Sequence, residues 1–523
     1  MTETQSELKR ILKDVWFTFF SRYGKPFPIQ EKAIPVVLEG KNAVIVSPTA
    51  SGKTEAVVAP LIERFLSEGW EGLAILYISP TRALVNDVYY RLKDQLAELN
   101  VSLLMRTGDK PSFNPNKLPN FLITTPESLD SLLCRYPASF RGVRAVILDD
   151  IHLIDGTYRG DQVRILLKRL KFITERDFNV YMLSATVYDP WKMGSRYMEN
   201  FEVIQSPGQR ELDYTLVGSL EEVFNYAREE GLRKLLIFCN KRAEVERLAD
   251  ECSKLWGRNY VVVHHGSLSK QVREEAEEFM RETRYGVCIA TMTLEVGIDI
   301  GDIDAVVLAE VPWNISSLLQ RIGRGNRRTG RCRVFAIFRS ENERLLLEEM
   351  LKAAKEGRLE YEEYSPDLSV VVQQIFSSLY ANPGGLYTDY FNKLFDGFCT
   401  KSELRDIINH LINVGLIEKT DNKIYATTKI MDLGEKGKIH SNIPQLKGMK
   451  VVDESSGKTI GEIQYPLDSD VFVLAGKVWR VTKVVESESK IYVKQEKVSA
   501  IAASFKAHRS RGCFHRFLPE HLK

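Results

Sequence analysis

The sequence predicts an α/β protein: two parallel-sheet units in tandem, followed by a winged helix and a small β-barrel-like domain. Three observations lead there. First, short apolar runs alternate with helix-like stretches from about residue 28 to 200: "NAVIVS" (42–47), "GLAILYIS" (72–79), "FLITT" (121–125), "RAVILDD" (144–150) and "VYMLSAT" (180–186). Continuous apolar strands need cover on both faces, which a parallel sheet flanked by helices supplies. Second, the pattern restarts after about residue 210 with "KLLIFC" (234–239), "YVVVHH" (260–265), "GVCIAT" (286–291), "AVVLAE" (305–310) and "RVFAIF" (333–338). Third, the texture changes beyond a charged, helix-prone connector at 341–363.

In "TKSELRDIINHLINVG" (400–415), Leu404, Ile407, Ile408 and Leu411 fall at i, i+3, i+4 and i+7, one apolar helical face. Thr400 and Glu403 read as a capping box, and Gly415 suits the helix end. A hairpin follows in "LIEKTDNKIYAT" (416–427), and helix then hairpin is a winged-helix pattern. From about 436 onward, paired strands about polar turns suggest a barrel, with Trp479 in its core. The expected boundaries are 1–207, 208–340, 341–363, 364–435 and 436–523.

Charge and cysteine usage narrow the function classes. Lys and Arg total 72 against 70 Asp and Glu, a net charge of +2, so an anionic partner must be met by local patches. One such patch is the C-terminal group Lys506, Arg509, Arg511, Arg516 and Lys523. The seven cysteines form no CxxC pair, which argues against a disulfide framework and a Cys-rich zinc site. No signal peptide and no apolar run of membrane-spanning length are read, so the expectation is a cytoplasmic protein with no membrane partner.

The chemistry concentrates in three segments. "SPTASGKT" (47–54) lies between a strand and a helix, as a phosphate-cradling loop requires. Thr49, Ser51 and Gly52 line the cradle, Lys53 reaches the β- and γ-phosphates, and the Thr54 hydroxyl suits Mg²⁺. "VILDDIH" (146–152) ends an apolar strand on two carboxylates. Asp149 would hold Mg²⁺ opposite Thr54, Asp150 would activate the attacking water, and His152 would couple this site to the second unit. "QRIGRGNRR" (320–328) supplies Gln320 to orient near the γ-phosphate, with Arg324 and Arg327 as arginine-finger candidates. ATP and Mg²⁺ are the implied cofactors.

These segments, with "PIQ" (28–30), "SPTRAL" (79–84), "TTPESL" (124–129), "SAT" (184–186), "IFCNKR" (237–242) and "ATMTLEVGIDIG" (290–301), resemble the ordered motif set of superfamily 2 helicases of the DEAD/DEAH type. "HHGSLS" (264–269), "TLEVGIDIG" and the Arg159-Gly160 step look like the Lhr (large helicase-related) branch. The resemblance implies two RecA-like domains with ATP between them and a 3′→5′ motor on single-stranded DNA that unwinds DNA or RNA–DNA duplexes. It implies that Gln30 reads adenine and that Thr81, Arg82, Thr125, Pro126 and Thr291 touch a strand's backbone. It also implies that Ser184 and Thr186 couple hydrolysis to movement, and that Gly297, Asp299 and Glu295 lie near the nucleotide.

Two departures stand out. The family has Glu where this chain has Asp150, and Gly325-Asn326 replaces its Ala/Thr-Gly. The shorter carboxylate predicts slower hydrolysis, since a displacement of about 1 Å in a catalytic group can cost about 10² in rate. The long C-terminal extension of larger relatives is expected to be absent. Two rival readings stay open: an RNA helicase, and an ATP-binding scaffold that hydrolyses weakly.

Overall fold

The computed structural model describes residues 3–21, 25–47, 51–185, 187–206, 211–265, 268, 270–295, 300–325, 331–356, 364–444, 447–457, 459–465, 471–474, 477–496 and 511–523. The chain forms two compact units, the first from residues 1–206, 363–445 and 509–523, the second from 207–362 and 446–508.

The first unit is built on a parallel sheet of seven strands: β1 Asn42–Val46, β2 Ile75–Ile78, β3 Leu103–Arg106, β4 Phe121–Thr124, β5 Ala145–Leu148, β6 Asn179–Ser184 and β7 Phe201–Gln205. Their order is β3-β4-β2-β5-β6-β1-β7. β2, β4 and β5 are buried along their whole length, as the apolar runs require. Two apolar layers enclose the sheet. One is centred on helices Pro28–Leu38, Lys53–Ser67 and Arg82–Glu98, the other on Pro126–Arg135 and Tyr158–Ile173.

The helix and hairpin read at 400–427 both form. Helix Lys401–Asn413 starts at the Thr400/Glu403 capping box and buries Leu404, Ile407, Ile408 and Leu411. β14 Leu386–Tyr387, β15 Ile417–Thr420 and β16 Lys423–Ala426 form its sheet, in the order β14-β16-β15. Gly415 at φ +67° and Asp421 at φ 55° supply the left-handed residues where the chain reverses. This layer shares a core with Tyr158 and Ile165 of the first sheet's helix. Residues 511–523, grouped with the β segment in the sequence reading, instead place Phe514 and Leu518 in that same core.

A buried polar cluster joins the two layers of this unit. Arg169 pairs with Asp130 at 2.5 Å, Ser377 Oγ donates to Asp130 at 2.8 Å, and His440 Nδ1 lies 2.8 Å from the other Asp130 oxygen. Burial opposes a charge on His440, but its hydrogen bond with Asp130 wins and raises its pKa to about 9.

The second unit repeats the parallel plan: β8 Glu211–Val217, β9 Lys234–Phe238, β10 Val261–His264, β11 Gly286–Ala290, β12 Ala305–Leu308 and β13 Arg331–Ile337, in the order β10-β11-β9-β12-β13-β8. Helix Glu341–Lys355, expected as a connector, buries Leu346, Leu347, Met350 and Leu351 against this sheet.

The barrel expectation is corrected. β17 Lys447–Asp453, β18 Thr459–Tyr465, β19 Val471–Leu474, β20 Lys477–Val485 and β21 Lys490–Glu496 make a five-stranded sheet, β18-β17-β21-β20-β19. Among the described residues its edges, β18 and β19, do not pair, so no closure occurs. The parallel contact of β17 with β21 departs from a run of hairpins. Trp479 is core, buried with Met449, Val451, Ile463, Ile491 and Val493, and Trp313 packs against the cluster.

Candidate nucleotide and nucleic-acid site

In a parallel sheet every strand points the same way, so the loops leaving the strand ends collect on one edge. In the first unit that edge carries the loops after β1, β2, β4, β5 and β6. Strand order sorts them into two groups. β1, β6 and β5 are neighbours and bring together the phosphate-loop segment, the Ser184 segment and the acidic pair. β2 and β4 are neighbours and bring together Thr81 and Thr125.

Lys53 opens helix Lys53–Ser67 after Gly52, whose φ is +78°. A Cβ at Gly52 would lie 2.3 Å from Gln30 Nε2, so the position needs glycine for both backbone and space. Lys53 is 8% exposed and donates to the Ser47 carbonyl at 2.5 Å. Gln30 accepts from Phe27 N at 2.9 Å and donates to the Gly52 carbonyl at 3.2 Å, which fixes it against the loop. The Ser51 hydroxyl is buried with no partner among the described residues. Thr49 and Thr186 lie outside the described residues.

Asp149 is buried, and its carboxyl is pushed well above the usual carboxylate range, by desolvation first and the neighbouring Asp150 second. Asp150 sits in the left-handed region at φ 40°, a conformation that aspartate tolerates better than most residues. The Thr54 hydroxyl and the Asp149 carboxylate are hard oxygen donors, and the repulsion between the two acids is what a cation relieves. The residues present therefore fit Mg²⁺.

His152 Nδ1 accepts from Ala185 N at 3.3 Å. Burial lowers its pKa to about 4, so the ring is neutral near pH 7 with its proton on Nε2. The Ser184 carbonyl accepts from Ser47 N at 3.1 Å, which ties the phosphate-loop strand to the same segment. The Ser184 hydroxyl is buried without a partner among the described residues.

Thr81 and Thr125 cap two helices, Arg82–Glu98 and Pro126–Arg135, by accepting from Leu84 N at 3.3 Å and Ser128 N at 3.4 Å. Two helix N-termini on adjacent strand ends present backbone N–H groups suited to phosphates. Arg82 is exposed and pairs with Asp109, and Pro126 starts the second helix. Arg159 links the two loops, donating to Glu127 at 2.7 Å and to the Pro80 carbonyl at 2.6 Å. At Gly160 a Cβ would meet the Ile154 carbonyl oxygen at 2.4 Å, which explains the Arg-Gly step.

In the second unit, Thr291 N donates to the His264 carbonyl at 3.2 Å where β11 ends, and Thr291 is buried. Gln320 is half-buried on helix Ile315–Ile322. Arg324 is 2% exposed and donates through Nη2 to the Glu295 carbonyl at 2.7 Å. Gly297, Asp299 and Arg327 lie outside the described residues.

Sequence reasoning missed two sets of groups. Arg321 is fully buried, 2.7 Å from Glu295 Oε1 and 2.9 Å from Asn240 Oδ1. Arg91 donates to the Thr54 hydroxyl at 2.7 Å. Its i,i+4 spacing from Asp87 reads in sequence as an ordinary solvated helix pair.

Comparison with known proteins agrees with this geometry. Residues 27–192 match the DEAD/DEAH box helicase family and residues 217–329 the helicase conserved C-terminal domain. The chain is 28% identical to ATP-dependent helicase Lhr-Core of Methanocaldococcus jannaschii, covering 91% of this chain and 63% of that protein. It is 29% identical to the Lhr-Core helicase of Sulfolobus acidocaldarius, covering 92% and 61%. The chain thus spans about three-fifths of the length of these relatives. The fold matches the Mycobacterium smegmatis helicase Lhr bound to ssDNA and AMP-PNP at TM-score 0.72 and 24% identity, covering 84% of this chain and 63% of that one. It also matches the DUF1998 helicase MrfA bound to DNA and AMPPNP, at TM-score 0.68 and 20% identity over 95% of this chain and 73% of that one. Two tandem RecA-like domains carry the paired DEAD/DEAH box and helicase C-terminal domains, and over most of its length this chain is a relative of the Lhr-Core helicases.

Proposed function

We propose that this chain is an ATP-dependent helicase or translocase of the Lhr type, moving 3′→5′ on single-stranded DNA and separating DNA or RNA–DNA duplexes. One observation supports the reading: in the first sheet β1, β6 and β5 are neighbours, so the Gly52-Lys53 helix start, Ser184 and the Asp149-Asp150 pair share one edge with the capped helix starts after the adjoining β2 and β4. In this reading, nucleotide and polynucleotide meet along that one edge.

In this reading Lys53 and the Gly52 backbone bind the β- and γ-phosphates, and Thr54 and Asp149 hold Mg²⁺. The metal would neutralise charge on the phosphate oxygens as the terminal group leaves. Asp150 orients and deprotonates the attacking water. We assign compensation of the leaving charge to Arg324 and Arg327. Gln30, held on the Gly52 carbonyl, faces adenine. His152 and the 184–186 segment pass the change at the phosphates to the strand-binding helices. Contacts to backbone phosphates position a strand without reading its bases, so affinity should fall steeply with salt and depend little on sequence.

The shorter acid at Asp150 favours one second reading, a scaffold that binds ATP and turns it over weakly. Phosphate release with single-stranded DNA, and with RNA of equal length, tests both. The motor predicts DNA-stimulated turnover that Lys53→Ala lowers by about 10²–10³ and Asp150→Glu raises. Wild-type turnover no greater than that of Lys53→Ala assigns the scaffold, and stronger stimulation by RNA assigns an RNA motor. Polarity follows from displacement assays on 3′- and 5′-tailed duplexes.

A further inference from the structure

Arg91 sits midway along helix Arg82–Glu98, the helix that begins at the strand-facing Thr81-Arg82 step. Its Nη2 donates to Thr54 Oγ1 at 2.7 Å. Its Nε is 3.6 Å from Glu55, and its Nη1 is 3.8 Å from Asp87. The guanidinium also lies within the electrostatic reach of Asp149 and Tyr77. Arg91 therefore holds, with a positive charge, the hydroxyl that the proposed function gives to Mg²⁺. Two cations repel on one hydroxyl, so one must leave when the other arrives. The side chain is 43% exposed and can swing without repacking a core. Two carboxylates, Glu55 and Asp87, already flank it at distances slightly too long for good hydrogen bonds.

We propose that Arg91 is a displaceable stand-in cation: it competes with the metal–nucleotide complex for Thr54 and moves onto Asp87 and Glu55 when that complex binds. It is a positioning residue. Its movement pulls on the helix whose first turn faces the polynucleotide, which links nucleotide occupancy to strand grip. The proposal rests on the reading of Thr54 and Asp149 as the metal position.

Paramagnetic Mn²⁺ with ADP, titrated into the full chain and read as free Mn²⁺ by electron paramagnetic resonance, tests it without turnover. Arg91→Gln should bind Mn·ADP on the order of fivefold tighter than wild type, a coupling of ordinary allosteric size. Arg91→Lys should stay near wild type. Added single-stranded DNA should shift Mn·ADP affinity in wild type and much less in Arg91→Gln. Equal or weaker binding by Arg91→Gln overturns the proposal. If that variant fails to fold, Asp87→Asn replaces it: losing the receiving carboxylate should weaken Mn·ADP binding, and unchanged binding overturns the idea. Wild type that takes up no Mn·ADP overturns the metal site itself, whereas normal wild-type binding with indifferent variants overturns only the role of Arg91.

Discussion

The two parallel sheets are made from the same kind of apolar strand, yet one gathers buried hydroxyls and carboxylates at its loop edge where the other gathers buried arginines. The first sheet's loop edge leaves hydroxyls of Ser51, Ser79 and Ser184 buried without partners among the described residues, and sets two carboxylates side by side. The second sheet ties its buried arginines to its own residues, Arg321 to Glu295 and Asn240 and Arg324 to the Glu295 carbonyl, with Arg321 Nη1 left without a partner among the described residues. An unpaired buried polar group is costly, so a site that keeps several is arranged for a ligand. A buried charge tied to its own domain holds that domain together first. Of the four arginines in residues 321–328, Arg321 is thus held to its own domain by Glu295 and Asn240.

That contrast can be broken by substitution. The largest effect is expected in the second sheet. Arg321→Ala leaves Glu295 buried and uncompensated, and should cost about 3–5 kcal/mol of stability. A thermal melt of the variant checks this, and an unchanged transition would mean that the arginine is held for catalysis alone. Lys53→Ala should do the reverse, leaving the melt nearly unchanged while lowering turnover by about 10²–10³, the typical loss of one preorganised donor. A melt that drops as far as that of Arg321→Ala would erase the distinction between the lobes.

The buried cluster behind the first sheet sharpens the comparison, because it is cohesive rather than ligand-ready. His440 has its pKa raised to about 9 in the folded protein, above its ordinary 6.5. Its contribution is thus complete below about pH 6.5 and lost as pH rises through about 9, to a total of about 3 kcal/mol. Melts between pH 6 and 10 should show this loss, and His440→Gln should flatten it. The smallest effect belongs to the helix caps Thr81 and Thr125, which the proposed function sets against a polynucleotide. Thr125→Ala removes the bond to Ser128 N and should cost about 1 kcal/mol. It should also weaken binding to single-stranded DNA of every sequence alike, measured by fluorescence anisotropy across a salt series.

Much of this was legible beforehand. Continuous apolar runs marked β1, β2, β4, β5 and β6, because a strand buried on both faces has no polar alternation to hide it. The winged helix was legible because its apolar period, capping box and terminal glycine agree. The barrel was not. Alternating strands and turns specify hairpins, while closure depends on whether distant edges reach each other, and β17 pairs with β21 in parallel instead. The 511–523 segment was grouped with the β segment for its Arg511, Arg516 and Lys523, while Phe514 and Leu518 decide where it packs.

The chain's own order of residues determined the chemistry available: a glycine-lysine-threonine loop after one strand, paired carboxylates after another, capping threonines after two more. These are local matters, set by strand, turn and helix-start preferences within a few residues. Tertiary structure alone decided which of them became neighbours. Sheet order is a product of long-range pairing, and it put Ser184 between the cradle and the acids, Thr81 beside Thr125, and Arg91 on the Thr54 hydroxyl from 37 residues away.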